Sequence, residues 1–144
     1  MVDVNEPGEL RSAIELFYFA YRAFTSRPDH ILERRGLGRV HHRILYFIGR
    51  NPSISVTSLL ALLRVTKQAL NMPLRQLLEM KLIGIEVPPR DRRVKQLALT
   101  AEGRRLEARL TATQMKHLAE TFAAVGEEAA QGWRLVMQQF PGEA

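Results

Sequence analysis

Four side chains between positions 67 and 75 have the types and spacing to act on another molecule: Lys67, Gln68, Asn71 and Arg75. At helical spacing all four lie off the stripe formed by Leu70, Leu74 and Leu77, so they share the outer side of one helix. Amide side chains pair with adenine N6 and N7, and Arg or Lys pairs with guanine O6 and N7 or with phosphate. A second group, Arg90, Asp91, Arg92 and Arg93, crowds the turn PPRDRR. A narrow A·T-rich minor groove concentrates negative potential and attracts such arginines. The histidines suggest less chemistry. His41 and His42 diverge by about 100° on a helix, and neither His30 nor His117 stands at ligand spacing to them. His41 falls among Leu37, Ile44 and Ile48, which makes it a buried, hydrogen-bonded core residue before it is a pocket residue.

The elements that must hold these groups can be read in order. ELRSAIELFYFAYRAFT, residues 9–25, is helical and apolar on two sides, with Leu10, Ile14, Phe17, Tyr21 and Phe24 on one and Leu16, Phe19 and Ala23 on another. Cover from two directions calls for a second subunit, so a homodimer is expected. SRPDHILERRG reads as a loop or short helix, and LGRVHHRILYFIGRN as a second helix ended by Asn51-Pro52. Val56, Leu59, Leu60 and Leu63 mark a third, with Ser55 as its N-cap, and Thr66 caps the helix carrying Lys67 to Arg75. Pro73 inside that helix removes the bond to the Ala69 carbonyl and is expected to kink it. LIGIEV and VKQLALT form a β-hairpin around PPRDRR. Residues 100–126 are helical again with two apolar sets, Leu106 and Leu110, then Met115, Leu118, Phe122 and Val125. The last helix, near residues 127–140, presents Trp133, Val136 and Phe140 and stops at Pro141-Gly142.

Charge agrees with this order. Residues 34–109 hold 16 Lys or Arg against 5 Asp or Glu, while both flanks are acidic, so the excess behind the net +6 belongs to the middle and suits a polyanion. The absence of Cys excludes thiolate metal sites, disulfides and cysteine nucleophiles. The longest uncharged run is 13 residues, 51–63, against about 20 for a membrane span. Acids and a Pro near the start do not make a secretory signal, so a cytoplasmic protein with no membrane partner is expected. An enzyme built on His41 or His42 with Glu33 finds no phosphate loop, nucleophile motif or metal spacing to support it, and neither a cofactor nor a metal is expected.

Helix, turn, helix and basic hairpin make a winged helix, and DRRVKQLALTAEG, residues 91–103, resembles the wing of the MarR family of transcription regulators. The family's Asp, any residue, Arg, then Leu-Thr and a Gly three further on is met by Asp91, Arg93, Leu99, Thr100 and Gly103. VTKQALNMPLRQLLEMKLI, residues 65–83, is similar to its recognition helix, with Lys81 where the family commonly has Gly. The fold expected is mostly α with a small β wing: a dimerisation arm at 1–33, a winged helix-turn-helix at 34–104, and dimerisation helices at 105–144. The resemblance implies that Arg93 enters a minor groove, oriented by Asp91. The double-stranded DNA contacts expected are Ser55, Thr66, Lys67, Gln68, Asn71, Arg75, Arg90, Asp91, Arg92 and Arg93, over a pseudo-palindromic operator. It also implies a small aromatic anion bound between arm and winged domain, where Tyr18, Tyr21, Arg22 and His41 would line the pocket, and a repressor released by that ligand. The alternative, a winged helix for protein or RNA contact, is disfavoured by a recognition helix that is basic and polar.

Overall fold

The computed structural model describes residues 2–91 and 93–140. Its elements run α1 (Pro7–Glu33), α2 (Arg39–Arg50), β1 (Ile54–Ser55), α3 (Val56–Leu63), α4 (Lys67–Glu79), β2 (Ile83–Glu86), β3 (Gln96–Leu99), α5 (Ala101–Val125) and α6 (Glu127–Gln139). It is a winged helix on long helical arms. The core beneath the wing collects Leu32 of α1, Ile44, Leu45 and Ile48 of α2, Leu59 of α3, Leu70, Leu74 and Leu77 of α4, Leu97 of β3, and Leu106 and Leu110 of α5. Helices α1 and α5 therefore reach into this core: α1 contributes buried Pro28 and Leu32 at its end, and α5 passes position 104 without a break.

Two expectations change. Residues 26–33 are neither loop nor separate helix but the last turns of α1. Proline inside a helix costs about 3 kcal/mol, and Pro28 offsets part of that by being itself fully buried, one turn before the buried Leu32. The wing is a three-stranded antiparallel sheet in the order β1-β3-β2, since Ile54 pairs with Leu97 and Ile83 with Leu99. A two-residue strand leaves no period to read, which is why only a hairpin was expected. Helix α4 holds Pro73, the residue expected to kink it, inside its span. The Ala69 carbonyl that loses its donor belongs to an exposed residue, where water can supply the bond.

Helix ends show how the turns are built. Ser55 Oγ accepts from the Ser58 amide at 3.1 Å, Thr66 Oγ1 from the Ala69 amide at 3.1 Å, and Thr100 Oγ1 from the Gly103 amide at 3.0 Å. At the other end of α4, the Lys81 amide donates to the Leu78 carbonyl at 3.1 Å and the Leu82 amide to the Leu77 carbonyl at 3.0 Å. This is a Schellman closure, and Lys81 fills its left-handed position with φ of 59°. Arg64 takes the same conformation after α3, with φ of 55°.

Candidate nucleic-acid interface and ligand cavity

Helix α4 is anchored on its inner side and open on its outer one. Leu70, Leu74 and Leu77 are buried, and Gln76 reaches back to α2, where its Oε1 lies 2.7 Å from His41 Nε2. His41 Nδ1 accepts the Gly38 amide at 3.0 Å, so Nε2 carries the proton and donates to Gln76. The histidine thus ties the start of α2 to the middle of α4. On the outer side Lys67, Gln68, Asn71 and Arg75 are all exposed, and among the described residues none has an intramolecular hydrogen-bond or ion-pair partner. Thr66 and Ser55 hold helix starts through their hydroxyls.

The wing's Asp91 folds back on Arg93. Its Oδ1 accepts from the Arg93 backbone amide at 3.0 Å and from Arg93 Nε at 3.3 Å, which aims an otherwise solvated guanidinium. Arg90 is exposed on the same loop, and Arg92 lies outside the described residues. The wing is fastened at its base by Thr100, whose hydroxyl lies 2.7 Å from the Lys81 carbonyl and 3.1 Å from that of Leu82. Gly103 presses against the same carbonyl: a Cβ there would stand 1.9 Å from Leu82 O. The Leu-Thr and Gly of the wing motif are thus the joint between the exit of α4, the end of β3 and the start of α5.

A cavity of about 420 Å³ opens between α1, α2 and α5. Of the four residues expected around a ligand, Tyr21 lines it; Tyr18 and Arg22 stack on each other elsewhere on α1, with the guanidinium carbon 5.8 Å from the ring centre, and His41 faces α4. In their place α2 supplies Arg39, His42, Arg43 and Tyr46, a stripe at helical spacing one step round from His41. Arg39 Nε pairs with Asp29 Oδ2 at 2.8 Å and its guanidinium lies 5.5 Å from the Tyr21 ring centre. Burial lowers the His42 pKa below the usual histidine value, against the opposing pull of Asp29, and Arg43 lowers it further. The Thr111 hydroxyl, buried in the wall, finds no hydrogen-bond partner among the described residues. No group of three or more acidic or histidine side chains among the described residues could hold a metal ion.

A family model described as the MarR family matches residues 35–94, the stretch from just before α2 into the loop between β2 and β3. The chain is 40% identical over 148 residues to the HTH-type transcriptional regulator PetP of Rhodobacter capsulatus, a match covering 96% of this chain and 89% of that one.

The chain belongs to the MarR family.

It is a winged-helix transcription regulator and not an enzyme. Among solved structures, a MarR family transcription regulator superposes on this MarR-family chain with a TM-score of 0.79 at 20% identity, covering 91% of this chain and 87% of the other. Staphylococcus aureus MarR in complex with salicylate and kanamycin gives 0.74 at 22%, covering 94% and 92%. The S. aureus MepR-DNA complex gives 0.71 at 20%, covering 87% and 93%. At these identities the likeness is one of fold. Among the described residues no helix is long and apolar enough to cross a membrane.

Proposed function

We propose that this chain binds double-stranded DNA as a homodimer, acting in the cytoplasm as a repressor released by a small aromatic anion. The observation that carries the reading is the outer face of α4, where two cations and two amides stand exposed and unpartnered between a capped N-terminus and an arginine-bearing wing. In this reading Lys67, Gln68, Asn71 and Arg75 enter the major groove with the α4 N-terminus, and Arg93, aimed by Asp91, enters the minor groove. Ser55, Thr66 and Arg90 approach phosphates. The S. aureus MepR-DNA complex, a protein of the same fold, supports the assignment.

The dimer is supported by apolar surface that this chain alone leaves uncovered. Leu10, Ile14, Phe17 and Phe19 of α1 are exposed, as are Trp133, Val136 and Phe140 at the other end of the chain. Phe17 and Phe140 already meet edge to face at 5.6 Å, so the two ends form one continuous patch. Two copies then present two α4 helices to a pseudo-palindromic operator with half-site centres about one helical turn, ~10 bp, apart. For the ligand, the cavity between α1, α2 and α5 offers the Tyr21 and Tyr46 rings, the Arg39 and Arg43 cations and the Thr111 hydroxyl. The salicylate-bound S. aureus MarR is a further support. A ligand releases DNA only by binding more tightly to the form whose α4 helices are misplaced.

Selection of bound sequences from random duplex DNA, followed by titration of aromatic acids into the complex, tests both parts. The expected result is a palindromic site bound with Kd near 10⁻⁸ M or tighter, weakened by a carboxylate and less so in Arg43→Ala. Equal affinity for every duplex, or tighter binding to single-stranded RNA, would defeat the DNA reading. Failure of every acid to shift the complex would defeat the ligand reading alone.

A further inference from the structure

The outer face of α4 carries a residue that the recognition of polar base edges does not use. Met72 is 71% exposed. At 100° per residue it lies at one end of an arc of about 60° that runs from Arg75 through Gln68 to Met72. That arc is centred roughly opposite the buried stripe of Leu70, Leu74 and Leu77. Of the three, Met72 points most nearly straight away from the core. The neighbouring Asn71 and Lys67 sit further round, toward one side.

Exposure of one apolar side chain is ordinary on a protein surface. Its position here is what matters. A helix laid in the major groove by its polar and cationic neighbours brings the centre of its outer ridge to the groove floor. The floor offers hydrogen-bonding groups at every base pair and a single kind of apolar group, the C5-methyl of thymine. A thioether side chain has no donor to offer and only a weak acceptor. Set over a G·C pair it would strip water from the cytosine amino group and the guanine acceptors without replacing those bonds. Set over a thymine methyl it buries carbon against carbon, and its three flexible torsions let it follow the methyl's position.

We infer that Met72 is a specificity-determining residue that reads a thymine C5-methyl in each operator half-site, next to the bases read by Gln68 and Arg75. The inference rests on α4 being the helix that enters the groove. It assigns to the half-site a thymine whose recognition depends on the methyl and not on the Watson–Crick partner.

Deoxyuridine pairs as thymidine does and differs by that methyl alone, so it isolates the contact. With the full-length protein and a duplex recovered by selection, each thymidine is replaced in turn by deoxyuridine and the affinity measured. At one position per half-site the wild type should weaken about fourfold, the worth of one buried methyl, and by about 15-fold when both half-sites are changed. All other positions should stay within twofold. In Met72→Ala the thymidine and deoxyuridine duplexes should bind alike, and in Met72→Leu most of the discrimination should remain. Because the side chain is exposed, both variants should melt with the wild type. Specific binding that ignores every methyl, or a Met72→Ala protein that still prefers thymidine at the same position, overturns the inference and leaves the DNA reading intact. Absence of any preference among duplexes overturns the DNA reading itself.

Discussion

Replacing Lys81 by Gly should make the protein more stable. Lys81 holds φ of 59° to close α4, and its backbone does all the visible work: its amide donates to Leu78 and its carbonyl accepts from the Thr100 hydroxyl at 2.7 Å. Glycine keeps both bonds. The left-handed conformation costs an L-residue about 1–2 kcal/mol, while the extra freedom of Gly in the unfolded chain returns about 0.4–1 kcal/mol. The difference leaves a gain of about 0.5–1 kcal/mol. For a chain of this length that is a rise of about 2–4 °C in Tm. Thermal and urea unfolding should be followed at one fixed protomer concentration, since dimerisation would otherwise shift the midpoint. Lys81→Ala is the control, because it removes the same charge and keeps the strained Cβ, and it should gain nothing. If Ala stabilised as much as Gly, charge and not backbone strain would be the cause, and the reasoning would be refuted.

Asn71→Ala and Arg93→Ala should differ in kind: the first should flatten discrimination among operator variants, and the second should weaken binding most where the flanks are A·T-rich. Equal losses on every sequence would contradict the separation of base and groove contacts. Sedimentation at micromolar concentration should show a dimer, and Phe17→Glu with Phe140→Glu should shift it to monomer; a folded wild-type monomer would remove the shared interface. His41→Ala leaves the Gly38 amide and the Gln76 side-chain oxygen unpaired at a partly buried site and should cost about 1–3 kcal/mol in urea unfolding. His42, whose pKa burial lowers in the folded state, gives stability that is complete above the unfolded value of about 6.5 and falls away as the pH drops through the lower folded value. Tm should therefore decline below about pH 6.5 in the wild type and less steeply in His42→Phe.

Much of the fold was legible because burial writes long periods. The stripe Leu70, Leu74 and Leu77 spans two turns and is buried as its spacing implied, as are Leu106 and Leu110 of α5, while Met115 and Val125 of the second set stay exposed in this chain. Ser55 and Thr66 were legible as caps because a hydroxyl just before an apolar run has few other uses. What escaped was decided by contacts remote in sequence. Pro28 looks like a helix breaker until the core that buries it is known. His41 was legible as a buried, hydrogen-bonded core residue from its apolar neighbours Leu37, Ile44 and Ile48, while the cavity is lined by His42 and Arg43. A step of 100° from His41 round α2 leads to the stripe Arg39, His42, Arg43 and Tyr46 that faces α1 and α5, and only the packing of those two helices marks it as a cavity wall.

The close approach of Gly103 to the Leu82 carbonyl has a consequence for how the gene tolerates change. Every other amino acid carries a Cβ, so the obstacle is the same whether the newcomer is Ala, Ser, Val or Asp. In a saturation library position 103 should behave as a binary site, with Gly in one class and all 19 replacements in the other, ordered hardly at all by polarity or size. Its exposed neighbour Arg104, which donates from its guanidinium to the Leu99 carbonyl at 3.1 Å, should instead show a graded profile with Lys near the top. Drift can thus retune the charge around this joint freely while the joint itself stays fixed.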